Sequence, residues 1–173
     1  RRHPLPVLAS SATIATLREL GAVFSGTDGA FWDGYCAFQA VSPEQSEQLG
    51  PLALDFAWTR HYLPCLALRA RADNRCLVFG ADGGPDDDLE RFATAADLLI
   101  LESTLLHGQA LAEGPERGHI SGAEAARVAE RAGVRRLLLT HYFAEWGPQV
   151  LAEARAAGSV TVDLARQGDL HEC

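Results

Sequence analysis

Two short runs constrain this chain more than anything else in it. Leu98-Leu99-Ile100-Leu101 and Leu137-Leu138-Leu139 carry no polar residue, and each leads into polar ones, Glu102 and Thr140-His141. A strand with one wet face alternates apolar and polar positions, whereas a strand apolar at every position is covered on both faces. Helices must then pack on the sheet, and the intervening sequence supplies them. Ser121-Gly122-Ala123-Glu124 is a capping box that opens a helix over Ser121–Ala132, with Gly133 as its stop. Glu145–Ala157 reads as a second helix ending at Gly158, and Val160–Leu164 as a last strand. The second half of the chain therefore alternates strand and helix.

The first half is β-rich. Leu5–Ala9, Tyr35–Val41 and Leu52–Trp58 read as strands, and Cys65–Arg71 and Cys76–Phe79 flank a hairpin turn at Ala72-Asp73-Asn74. Ser10-Ser11 caps a helix expected to run to about Glu19 and to stop at Gly21, with Ala22–Gly34 as loop or edge strand. Asp86–Ala95 reads as a helix whose leading aspartates suit the positive end of its dipole, and Leu106–Gly118 as a loop or broken helix. The whole is a layered α/β sandwich, read as a single domain over 1–173.

With 173 residues and 47% apolar content, the chain is long enough to build a proper core. The formal net charge of −8 argues against a broad nucleic-acid-binding face, because phosphate backbones need positive contacts. No apolar stretch approaches membrane-spanning length, and the start Arg1-Arg2-His3-Pro4 lacks the apolar region of a signal peptide. Cys36, Cys65, Cys76 and Cys173 form no C-x-x-C pair and read as reduced thiols of a cytoplasmic protein. The one Gly-rich loop, Gly80–Gly84, lacks both the G-x-G-x-x-G and the Walker spacing, which counts against a nucleotide-binding module.

Chemistry is expected where polar side chains follow strands, since ligand and catalytic groups gather at the carboxyl ends of strands in α/β sheets. Asp82 follows Leu77-Val78-Phe79, Glu102 follows Leu98–Leu101, His141 follows Leu137–Thr140, and His61 sits at another strand end. Taken singly, each has a plainer role as a turn residue, a surface imidazole or a salt-bridge partner. Taken together, two imidazoles and a carboxylate are a donor set for zinc, iron or manganese. His119 stands just before the Ser121 capping box, where it can pass a proton to a leaving oxygen or merely aid the cap. Glu102 can orient a neighbouring histidine. His107 could line the same site, while His3 and His171 lie near the termini.

Four segments in shared order resemble the metallo-β-lactamase superfamily, and within it the ribonuclease Z-like group. They are Arg60-His61-Tyr62-Leu63-Pro64 through Arg69, Leu77-Val78-Phe79-Gly80-Ala81-Asp82, Ala95 through Leu101-Glu102-Ser103-Thr104, and Gly118-His119-Ile120-Ser121 through Leu139-Thr140-His141. The resemblance implies part of a four-layer αββα sandwich and a metal-activated water attacking a phosphodiester. It makes His61, Asp82 and His141 ligands to two divalent metals, zinc with manganese or iron as alternatives. Asp82 bridges the pair, and His119 assists the leaving group with Glu102 supporting it.

The departures from the pattern matter as much. The family's His-x-His-x-Asp-His signature is absent, Gly83 replaces the threonine after the bridging aspartate, and Leu101 replaces the histidine before Glu102. There is no methionine. These features lead us to expect a truncated chain that lacks the N-terminal portion of the fold, binds metal weakly alone, turns over no substrate and exposes apolar edges. With no long basic arm for tRNA, the expected substrate is a small phosphodiester or ester rather than RNA, with no membrane partner and a homodimer left open. The rival reading is a non-catalytic interaction domain or pseudo-enzyme that keeps the fold.

Overall fold

A computed structural model describes residues 3–26, 30–43 and 45–171. The chain divides into two compact units, Arg1–Gln45 and Ser46–Cys173.

In the first unit, strand β1 (Leu5–Ala9) runs parallel to β2 (Cys36–Ala40), connected through helix α1 (Ser11–Ser25) and a 3-10 turn at Ala30–Trp32. Ser10 caps α1 by accepting from the Thr13 N–H at 3.1 Å. The helix does not stop at Gly21, as the sequence suggested. Gly21 is buried where a Cβ would lie 2.6 Å from the Trp32 indole nitrogen, and that nitrogen donates to the Leu17 carbonyl at 2.7 Å. This glycine makes room for a tryptophan. The stop falls at Gly26, whose φ of 64° and bond to the Ala22 carbonyl close the helix.

The second unit is a seven-stranded sheet in sequence order, β3 (Glu47–Leu49), β4 (Leu52–Trp58), β5 (Leu66–Ala72), β6 (Arg75–Phe79), β7 (Leu98–Glu102), β8 (Arg136–Thr140) and β9 (Thr161–Leu164). Pairing is antiparallel from β3 to β6 and parallel from β6 to β9. Strand β3 had no signal in the sequence, being three residues long and polar at two of them. The β5–β6 hairpin turns on Asp73 and Asn74, with φ values of 47° and 63°, the left-handed pair that a tight hairpin turn requires.

Helices α2 (Asp87–Phe92), α3 (His107–Glu113), α4 (Gly122–Arg131) and α5 (Gly147–Ala157) complete the unit. The capping box of α4 is present as written in the sequence, Ser121 Oγ accepting from the Glu124 N–H and Glu124 reaching back to the Ser121 N–H. Val78, Leu99, Leu101, Leu137 and Leu139 of the sheet share one core with Ala125, Ala126 and Ala129 of α4 and Val150 and Ala154 of α5. Small residues on the helices let them approach closely: a Cβ at Gly122 would lie 2.7 Å from the Val150 carbonyl oxygen. Helix α2 is shorter than Asp86–Ala95 because Ala93 caps it and Ala95 adopts a positive φ of 57°. Cys36, Cys65 and Cys76 are free thiols, and burial pushes the Cys76 thiol up; Cys173 lies outside the described residues. Among the described residues no helix is long and apolar enough to cross a membrane.

Candidate metal centre and proton-transfer pair

Strand direction decides which residues meet. Because β6, β7 and β8 are parallel, their carboxyl ends lie on one edge and deliver Asp82, Glu102 and His141 there. Strand β4 lies two antiparallel steps from β6, so it runs the same way and brings His61 to that edge as well. His119 arrives from the α3–α4 connection, which is tied to the β7 exit by a parallel bridge between Leu105 and Ser121.

The five side chains form a continuous group. His141 Nδ1 stands 3.1 Å from Asp82 Oδ1. The ring centroids of His119 and His141 are 5.9 Å apart, and those of His61 and His119 are 5.1 Å apart at 71°. Ligand atoms of Glu102, His119 and His141 all lie within 4.8 Å of one another. The tightest three-donor cluster is therefore not the set His61, Asp82 and His141 inferred from sequence. Asp82 joins it through His141, and His61 through the His119 ring.

Glu102 is 1% exposed and fully engaged. Its Oε1 accepts from the Gly83 N–H at 2.7 Å and lies 2.8 Å from His119 Nδ1, while Oε2 accepts from the Thr104 hydroxyl at 2.6 Å. No arginine pairs with it among the described residues. Thr104, which sequence reasoning passed over, sits at the junction: its Oγ1 is 3.2 Å from His141 Nδ1 and 3.0 Å from the His141 carbonyl oxygen. With its single proton on the buried carboxylate, Thr104 accepts from the His141 Nδ1–H. Asp82 Oδ1 competes for the same hydrogen, so Nε2 is the nitrogen of His141 left with a free lone pair.

The turns that carry two of these residues are strained. Ala81 and His141 hold φ values of 52° and 51°, a region that costs a non-glycine residue about 1–2 kcal/mol. Neighbouring strands hold both turns in place. Thr59 Oγ1 donates to the Asp82 carbonyl at 2.6 Å, and the Ser103 N–H donates to the carbonyl of Thr140, just before His141, at 2.9 Å. Gly84 is required for a different reason: a Cβ there would lie 2.0 Å from the Arg117 carbonyl oxygen. The segment before His119 is pinned from below, where buried Arg117 donates to the Gly114 carbonyl and to Glu124 Oε1. His107 plays another part, its Nδ1 3.4 Å from Ser121 Oγ and its N–H on Glu153.

The donor set suits a divalent ion: imidazoles and carboxylates on one rim, with Asp82 and His141 side chains 40% and 51% exposed and reachable from solvent. His61 accepts a long bond from the Leu63 N–H at its Nδ1, 3.3 Å. Ligation through either nitrogen requires that bond to yield, since a neutral imidazole has one lone pair to offer.

Residues 1–142 match the family model described as Beta-lactamase superfamily domain. The chain is 30% identical over 172 residues to the probable metallo-hydrolase YhfI of Bacillus subtilis, covering 98% of this chain and 65% of that protein. The crystal structure of the same Bacillus metallo-beta-lactamase fold protein superimposes with a TM-score of 0.80 at 29% identity, over 96% of this chain and 64% of that one. Ribonuclease Z of Salinispora arenicola is 42% identical over 88 residues, 51% of this chain and 28% of the enzyme. The chain thus spans just under two thirds of the Bacillus protein and under one third of the ribonuclease. By fold, by the match over most of its length and by the relatives it shares, the chain belongs to the beta-lactamase superfamily domain family and has the metallo-β-lactamase fold.

Proposed function

We propose that this chain carries part of the site of a metal-dependent hydrolase that cleaves a small phosphodiester or ester. The convergence of Asp82, Glu102, His119 and His141 on one sheet edge supports this reading best. His61, Asp82 and His141 would hold two divalent ions, zinc by preference, with Asp82 shared between them. Bound there, such ions lower the pKa of a water and polarise the substrate oxygen. Glu102 is a poor ligand because both its oxygens are already spent on Gly83, His119 and Thr104. Its work is to accept the His119 Nδ1–H and fix that ring, which leaves His119 Nε2 to hand a proton to the leaving oxygen. The net charge of −8 favours a small substrate over an RNA.

The experiment uses protein expressed from its complete coding sequence and purified without chelators. Bound metal is measured by mass spectrometry, and turnover with bis(4-nitrophenyl) phosphate. Asp82→Ala is expected to remove about one metal equivalent and to slow turnover roughly 100-fold or more, as loss of a shared carboxylate predicts. Parent protein free of metal and inert toward diesters would end the proposal. Thr104→Val tests the support of His141: metal should bind about 10–100-fold more weakly in competition with a chromogenic chelator, the usual consequence of losing a partner behind a ligand. Thr104→Ser, which keeps the hydroxyl, should restore it. Equal affinity in all three proteins would remove Thr104 from the account.

A further inference from the structure

We propose that the ring of Tyr62 is a stacking platform for a planar aromatic arm of the substrate, a nucleobase or an aryl group attached through the scissile oxygen. The inference rests on the hydrolase reading above. Tyr62 is 67% exposed, yet it is not a loose surface residue. A Cβ on Gly118 would lie 2.7 Å from Tyr62 Cε2 and 3.0 Å from Cζ, so the ring rests on the backbone at 118 in space that any other residue there would fill. Tyr62 stands edge-to-face with His119, centroids 6.0 Å apart at 70°, and 5.6 Å from His61. Its hydroxyl has no hydrogen-bond partner among the described residues, so no polar contact explains why a large ring is held here.

The location relative to His119 gives the ring its role. Buried Glu102 holds His119 Nδ1, so Nε2 is the nitrogen left to face a leaving oxygen. A group attached to that oxygen would come within reach of the Tyr62 ring, whose centroid is 6.0 Å from that of His119. The other side of the site offers less: a hollow of about 90 Å³ lined by Thr104, His141, Tyr142 and Phe143 has room for a small group alone. An aromatic face open to solvent recognises planar groups without regard to their hydrogen-bonding edge.

The test compares AMP with ribose 5-phosphate, which share a phosphate and a sugar and differ by the base. Affinities are measured by titration calorimetry on the metal-loaded protein expressed from its complete coding sequence. AMP is expected to bind about tenfold tighter than ribose 5-phosphate to the parent and to Tyr62→Phe, the scale of one base–aromatic stack. In Tyr62→Ala the ratio should fall toward one. A ratio that survives Tyr62→Ala, or no preference for AMP in the parent, overturns the platform. If Tyr62 merely covers Gly118, Tyr62→Ala lowers the melting temperature and leaves the ratio alone, which also overturns it. Hydrolysis of bis(4-nitrophenyl) phosphate, followed in parallel, separates the two readings. Turnover without an AMP preference removes the platform and keeps the hydrolase, whereas absence of turnover and of binding removes both.

Discussion

His119→Ala is expected to lower kcat about 10²–10⁴-fold on a diester with a poor leaving group, such as a dinucleoside phosphate, the span that a positioned proton donor contributes. The loss should be far smaller on bis(4-nitrophenyl) phosphate, because nitrophenolate departs without needing a proton. The contrast between the two substrates is the diagnostic quantity. It follows from the arrangement of three groups: Glu102, buried and saturated, fixes the His119 ring through Nδ1, and Gly83 and Thr104 fix Glu102. Glu102→Gln should show the same dependence on leaving group in weaker form, since an amide cannot satisfy His119 and Thr104 together as the carboxylate does. Equal losses on both substrates would show that His119 acts on metal binding or on the fold instead of on the leaving group.

The second large effect concerns stability. Arg117→Met should destabilise the fold by about 3 kcal/mol, the lower end for breaking a buried ion pair, since Glu124 keeps its bonds to Ser121. The Arg117 and Glu124 side chains are 5% and 17% exposed, so the pair is largely withdrawn from water. Adding Glu124→Gln to Arg117→Met should recover part of the loss by removing the stranded charge. Burial by itself would raise the Glu124 carboxyl, but hydrogen bonds from Arg117 and Ser121 and the guanidinium charge outweigh it and hold the group below its ordinary value of 4.5. A carboxyl lowered by folding contributes stability in full above its unfolded value and loses it as pH falls through the folded value. The penalty of Arg117→Met, read as the shift in urea midpoint, should therefore be largest near neutral pH and shrink as acid protonates the Glu124 carboxyl, whose ordinary value is 4.5. A midpoint shift that does not change with pH would mean that the cost comes from packing of the long side chain.

What could be read from the sequence divides along physical lines. Leu98–Leu101 and Leu137–Leu139 announced doubly covered strands because burial on two faces leaves no polar position. Ser121 and Glu124 announced the start of α4 because a capping box is a local device. Gly21 misled because its meaning depends on Trp32, eleven residues on, and β3 was silent because three residues carry no period. At the site, the positions of Asp82, Glu102 and His141 at strand ends were legible, while the order of contacts among them was not. Whether His141 meets Asp82, Glu102 or Thr104 depends on sheet register and on a left-handed turn at residue 141, neither of which has a signature in the chain. Thr104 and Tyr62 went unnoticed for the same reason: each matters through a neighbour distant in sequence, His141 for one and Gly118 for the other.

The hairpin at Asp73 and Asn74 sits at the pole of the sheet opposite the histidines, since β5 ends and β6 begins there. That separation offers a practical handle. A fluorophore, affinity tag or tethered partner spliced between those two positions would hang from the far end of the seven-stranded sheet, so labelled or immobilised protein can be made without touching the edge that carries Asp82, Glu102 and His141.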